Sequence, residues 1–350
     1  MSAWAIVEEA GAFHNPAIDT RGPHPHKEIA MTHRRQFLRL AGGGAVFAAT
    51  APLAACSSAL PPEAIAAWSG PGANEADLRR WVLAHAILAP HSHNLQSWLV
   101  DLRQPGEILL FCDRERLLPQ TDPQSRQMMM SQGTFIELLA MAAAERGHRA
   151  EVTLFPQGEF GPQAIDGRPT ARIRLVADAA ARPDPLFQQV FRRRTNRQAY
   201  DAARAPDPAA LRAIAEAMAP YPEVRAGFTD PRDAAALQRH RAIAAQAWRI
   251  ELMTPRTVLE SFRWLRIGPR EIARHRDGIS INDPFLRAID AFGLFDRTRA
   301  PGPDDTATTS QVEEFDAKIA TTPAFFWMVT RGNGRTTQVD AGRAYVRAQL

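Results

Sequence analysis

Residues 89–98 read APHSHNLQSW, and residues 192–201 read RRRTNRQAYD. The first stretch is a polar loop that follows a helical pattern, breaks it at Pro90 and runs into the apolar Trp98-Leu99-Val100. The second is an arginine-rich helix start. Upstream of the loop, NEADLRRWVLAHAILA places Leu78, Trp81, Val82 and His85 on one face, which predicts a helix with Asn74 as N-cap and Asp77 three residues on. Downstream, EILLFCD (107–113) predicts a buried strand. SQGTFIELLAMAAAERG (131–147) predicts an apolar helix stopped at Gly147, and AEVTLFP (150–156) an alternating strand. After Asp184 the order recurs: a helix in PDPAALRAIAEAMAP, a strand in VRAGFTD, long helices through Trp248 and Leu259, a strand in PAFFWMVTR and a helix in AGRAYVRAQL. The expected fold is therefore α+β, built as a duplicated unit of residues 74–182 and 183–350. Its period is far longer than the roughly 20 to 50 residues of solenoid repeats.

The 350 residues are 45% hydrophobic and 23% charged, a balance that supports packed cores and excludes disorder and fibrous repeats. Lysine and arginine total 42 against 38 acidic residues, and the formal charge of +4 is too small and dispersed for a nucleic-acid surface. Lys27 and Lys318 are the only lysines, so the basic side is almost all arginine. Two cysteines, Cys56 and Cys112, exclude a disulfide framework or a cysteine-rich metal site.

The start of the chain reads as an address. MTHRRQFLRLAGGGAVFAATAPLAACSS, from Met31, pairs Arg34 and Arg35 ahead of a weakly apolar stretch and resembles a twin-arginine export signal over 31–55. Leu40 to Ala55 is shorter than the roughly 20 residues of a bilayer span. Leu53-Ala54-Ala55-Cys56 resembles a bacterial lipobox, with Cys56 as the lipidated residue; a free, buried thiol is the alternative. Residues 1–30 read as an upstream extension that is not native, and 56–73 as a flexible tether of mixed Pro, Gly, Ser and Ala. The final helix has no stop signal before Leu350, and a C-terminally truncated second half is expected. The chain is expected in the periplasm or cell envelope, delivered by the twin-arginine machinery and held to the membrane only through the lipid.

The two opening motifs carry a family resemblance. APHSHNLQSW resembles the APSxxNxQPW loop of the nitroreductase superfamily, and RRRTNRQAYD its RRSxRxF opening. Together with DRERLLPQTDP (113–123), the combination is similar to the Acg family of FMN-binding nitroreductase-like proteins. His91 stands where that family has Ser, and Ser97 replaces Pro, which loosens the loop because a fixed φ is lost. Nitroreductase dimers share each FMN site between subunits. Here the first half carries the loop motif and the second the arginine motif, so the resemblance implies two fused halves forming an intrachain pseudo-dimer with one FMN per chain.

The same resemblance assigns the cofactor contacts. Arg193 and Thr195 would hold the phosphate, Arg197 would lie at the N1 and O2 edge of the ring, and Ser92, Asn94 and Gln96 would face the ribityl chain and ring edges. A solvated charge cluster and ordinary turn residues are the alternatives. Trp98 reads as core, as do Met128 to Met130. His85, His91 and His93 have no carboxylate or thiolate at ligand spacing, so no metal is expected. FRWLRIGPREIARHRDGISIND (262–283) reads as a lid over the flavin or as a surface helix hairpin. The implied activity is electron transfer through FMN to a small nitro or quinone acceptor, with no catalytic side chain. A protein that only stores FMN, or a lipoprotein that binds none and serves interactions, are the competing functions.

Overall fold

The computed structural model describes Val7, Glu8 and residues 59–350 except 202 and 205. The expected export signal, Cys56 and, apart from Val7 and Glu8, the rest of residues 1–58 lie outside the described residues.

Helix α1 (Leu78–Ala86) is capped by Asp77, not by Asn74 as the sequence suggested. The Asp77 carboxylate accepts the Arg79 backbone N–H at 2.9 Å and the Arg79 guanidinium at 2.9 Å. This short-range pair sits one residue before the first helical turn, within reach of its unpaired N–H groups, which Asn74 is not.

Strands β1 (Trp98–Asp101), β2 (Glu107–Cys112), β3 (His148–Leu154) and β4 (Ala171–Ala177) form an antiparallel sheet in the order β1-β2-β4-β3. In β2 only Ile108, Leu110 and Cys112 are fully buried, so the apolar run covers one face. Strand β4 was not anticipated. Its signal was present, because Arg172 and Arg174 alternate with buried Ala171 and Ile173.

Helix α2 (Arg126–Glu145) starts five residues before the expected Ser131. Ser125, at φ 54°, makes no cap bond. The start is held instead by the buried Asp122, whose carboxylate accepts from Arg126 N–H at 2.9 Å and Met128 N–H at 3.1 Å. Met128 and Met129 are fully buried, as a core reading required, and Phe135, Ile136, Leu138 and Leu139 continue the core along the same helix.

The second half contains α3 (Pro208–Glu216), β5 (Val224–Phe228), α4 (Ala234–Met253), α5 (Pro255–Arg263), β6 (Leu265–Ile267), α6 (Gly268–His275), β7 (Ile279–Ile281), α7 (Pro284–Ala291), α8 (Thr306–Ala320), β8 (Phe326–Thr330) and α9 (Arg335–Gln349). Strands β5 and β8 are antiparallel, with Val7–Glu8 running parallel beside β8. Strands β6 and β7 are parallel, and α6 is their crossover. Among the described residues the sheets of the two halves thus differ in size, and no described helix is long and apolar enough to cross a membrane.

The two halves meet where α2 crosses α9. A Cβ on Gly133 would lie 2.0 Å from the Val339 carbonyl oxygen, and one on Gly342 would lie 1.9 Å from that of Met130. The crossing is therefore backbone against backbone, with one glycine from each helix. Beside it the buried Glu137 of α2 receives Arg343 at 3.1 Å and Arg347 at 2.9 Å from α9, and also the Tyr221 hydroxyl. Burial pushes the Tyr221 phenol well above its ordinary range, with the Glu137 charge adding to the shift, so it stays a donor.

Candidate functional site

The loop between α1 and β1 holds three non-glycine residues in the left-handed region, His93 at φ 50°, Asn94 at 53° and Gln96 at 52°. Such a backbone persists only where its surroundings over-determine it. Leu95 is fully buried between them, the Asn94 N–H donates to the His91 carbonyl at 3.0 Å, and the Leu95 N–H to the Ser92 carbonyl at 3.1 Å. Gln132 of α2 donates to the Ser97 carbonyl at 3.0 Å.

His91 and Ser97, the two departures from the loop motif that this stretch resembles, touch one another. The Ser97 N–H and hydroxyl both reach His91 Nε2, at 3.2 and 2.7 Å. With Nε2 accepting the backbone N–H, Nδ1 carries the proton and donates to the Ser92 carbonyl at 2.8 Å. The expected loosening is offset, because the N–H that proline would lack is the group that clasps the imidazole. Burial holds the His91 pKa down to about 4, so the ring stays neutral. Trp98 is half-buried between core and cavity: its indole donates to the Ser131 carbonyl at 3.0 Å, its ring lies 5.1 Å from that of Phe135, and it also lines the cavity.

Facing the loop is the turn between α6 and β7. Asn94 donates through Nδ2 to the Gly278 carbonyl at 3.1 Å, Gln96 through Nε2 to the Arg276 carbonyl at 2.7 Å, and the Gly278 N–H returns to the Asn94 carbonyl at 3.0 Å. The segment expected as a lid or a helix hairpin is thus a β-α-β unit whose turn is bonded to the loop. The amide nitrogens of Asn94 and Gln96 are committed to this turn. Their side-chain oxygens accept no hydrogen bond within the described residues.

Arg193, Arg194, Thr195 and Arg197 line the same cavity as Ser92, Asn94 and Gln96, a space of about 1020 Å³. Ligand pockets commonly measure about 300 to 1,000 Å³. The two motifs, about a hundred residues apart in sequence, therefore share one site. Arg193 spans Leu88 and Gln349, donating at 3.1 and 3.3 Å, while its buried Nε–H has no partner. Arg197 makes no hydrogen bond or ion pair within the described residues. The uncommitted Arg197 guanidinium, beside Arg193 and Arg194 on the wall of a cavity of this size, fits an anionic, phosphate-bearing ligand.

Within the expected tether, Pro62–Ile65 and Ala66–Ser69 are helical turns, and Leu60 with residues 63–68 lines the cavity. Trp68 lies under the Arg194 guanidinium at 3.9 Å and near that of Arg193 at 6.0 Å. Trp68 was not assigned to the site from sequence, and the turn at Arg276–Gly278 falls within the 262–283 segment expected over the flavin or as a helix hairpin. Arg116 lies within the DRERLLPQTDP motif, residues 113–123. It reaches both Leu95 and Asp277.

The three histidines have separate surroundings. His85 bonds the Trp81 carbonyl at 2.9 Å and packs 5.0 Å from Phe187. His93 bridges Ser92 and Ser261 at 3.2 Å each, with burial and the Arg197 charge holding its pKa down to about 4. Among the described residues no group of three His, Cys, Asp or Glu could hold a metal ion.

A mixed α+β body with a cationic cavity between a strained amide-bearing loop and an arginine segment is what the fold and site define. Over 177 residues the chain is 31% identical to "Putative NAD(P)H nitroreductase Rv3131" of Mycobacterium tuberculosis strain ATCC 25618 / H37Rv, and equally to its counterpart MT3217 in strain CDC 1551 / Oshkosh. That match covers 49% of this chain and 46% of each relative. It is also 30% identical over 128 residues to "Uncharacterized protein Rv3127" of strain H37Rv, covering 35% of this chain and 36% of that one. The matches therefore span less than half the length of these relatives. No family model matches the sequence.

Proposed function

We propose that this chain is an FMN-dependent oxidoreductase of nitroreductase type, with one flavin per chain, that passes electrons to a small nitro or quinone acceptor. The observation that carries the reading is the convergence of Ser92, Asn94 and Gln96 with Arg193, Thr195 and Arg197 on one cavity. Similarity to proteins named as NAD(P)H nitroreductases supports the same reaction class. The glycine-on-glycine crossing of α2 and α9 supports two fused halves, since each half contributes an equivalent close contact.

When bound, FMN supplies the electron-transfer chemistry. The protein's part is binding and electrostatics. Arg193 and Thr195 would hold the phosphate, the former with the directional fork of a guanidinium. Arg197 would place its uncommitted positive charge at the N1 and O2 edge, where it stabilises the reduced ring. The free oxygens of Asn94 and Gln96 would accept from ribityl hydroxyls or the ring N–H. The proposed setting is the periplasm or cell envelope, with export by the twin-arginine route and lipidation of Cys56.

A visible spectrum of the purified chain, followed by titration with FMN, tests this reading. One equivalent of tightly bound flavin is expected; no flavin bands and no saturable binding would overturn it. The bonding of the Arg276–Gly278 turn across the loop favours one second reading, flavin storage with little turnover. Mixing with NADPH and with dithionite separates the two, because a store is reduced by dithionite alone.

A further inference from the structure

Asp277 is a buried carboxylate, 6% exposed, at the tip of the α6–β7 turn. Each of its oxygens is taken by a different arginine. Oδ1 accepts from Arg266 at 2.9 Å, and Oδ2 from Arg116. Arg116 in turn donates to the Asp113 carboxylate at 3.1 Å and to the Leu95 carbonyl at 2.8 Å. Charges therefore alternate along Arg266, Asp277, Arg116 and Asp113, and the row ends on the backbone of the residue between Asn94 and Gln96.

The turn itself is shaped for this contact. Arg276 adopts φ 56° and Gly278 φ 73°, and a Cβ on Gly278 would lie 2.3 Å from the Trp264 carbonyl oxygen. Only glycine fits there, and its N–H and carbonyl are the groups that meet Asn94. Two left-handed backbone segments from opposite halves of the sequence thus brace each other, with one ion row locking them.

We propose that Asp277 is a positioning residue: through Arg116 and the Leu95 carbonyl it fixes the left-handed Asn94–Gln96 turn, and with it the aim of both amide side chains into the cavity. A charge row is suited to this because removing its central carboxylate turns attraction into repulsion between two arginines in a low-dielectric setting. Arg116 then withdraws from Leu95, and the strained turn loses the contact that over-determines it. The proposal rests on the cofactor reading above only for its consequence in flavin binding.

The test is Asp277→Asn in the full chain, with Arg116→Lys as a second variant that keeps a cation but loses the fork spanning three acceptors. In flavin-free protein, exchange of the Leu95 and Gly278 amides should accelerate at least tenfold, while amides in the α2 core keep their protection. In flavin-titrated protein, FMN affinity should fall at least tenfold and the visible circular dichroism of bound flavin should change shape, which a loss of general stability would not produce. Unchanged exchange at Leu95 and Gly278 in both variants overturns the proposal. So does faster exchange with unaltered affinity and dichroism. Failure of the wild-type chain to bind FMN would remove the cofactor reading, and the exchange measurement would still decide whether Asp277 holds the turn.

Discussion

Replacing Gly342 by Ala probes the contact on which the cavity's geometry depends. The new Cβ would sit 1.9 Å from the Met130 carbonyl oxygen, whereas ordinary contact begins at 3.4 Å. Relief requires α2 and α9 to separate by about 1.5 Å, since the opposing atoms are backbone and no side chain can rotate away. Overpacking costs about 1 to 3 kcal/mol, and a backbone clash belongs at the upper end, about 3 kcal/mol. With an unfolding entropy of about 2.1 cal/mol/K per residue, a chain of 350 residues loses about 4 °C in Tm for that cost. Calorimetry of Gly342→Ala beside Gly332→Ala, whose Cβ would meet nothing within 4 Å, measures the effect against a neutral replacement. Adding Gly133→Ala should cost less than it does alone, because the helices are already apart. The separation should also reach the cavity, since Met130 and Ser131 of α2 and Tyr345 of α9 line it. A Tm within 2 °C of wild type for Gly342→Ala, or strict additivity of the pair, would refute the backbone-contact argument.

Arg193→Ala should weaken FMN binding by about tenfold to a hundredfold, the value of a charge-assisted bond of about 1.5 to 3 kcal/mol. Arg197→Ala should chiefly lower the flavin potential; fluorescence titration and redox titration of each variant separate the two roles. Introducing the residues of the nitroreductase loop that this one resembles, one at a time, tests the His91–Ser97 clasp. Ser97→Pro alone should destabilise by about 1 to 3 kcal/mol by orphaning the imidazole, and the His91→Ser, Ser97→Pro double variant should recover most of that in denaturant melts. The buried histidines set an acid limit. His91 and His93 titrate near about 4 in the fold and near 6.5 when unfolded, so the unfolded chain binds more protons between those values. Stability should fall as pH drops from about 6.5 to about 4, by at most about 3 kcal/mol per ring, and His91→Gln should flatten its share in urea melts at pH 7 and pH 4.5.

The sequence by itself determined the α+β alternation and singled out two segments that line one cavity. Hydrophobic period marks helices such as α2 and α9 because burial is local to a face, and a proline or a glycine ends them locally. It likewise marked Met128 and Met129 as core, whereas Trp98 and Met130 face the cavity as well. Amide and arginine motifs were legible because each is contiguous. Caps were less so: Asp77 and Asp122 hold their helix starts because of where the backbone bends, which the spacing of Asn74 or Ser131 does not reveal. Only tertiary structure decided that His91 and Ser97 compensate for each other, that residues 63–68 lie on the cavity wall, and that Asp277, 161 residues beyond Arg116, closes an ion row onto Leu95. Each of these depends on groups distant in sequence meeting at hydrogen-bond range, and the pattern of neighbours along a chain carries no record of such meetings until packing brings the elements together.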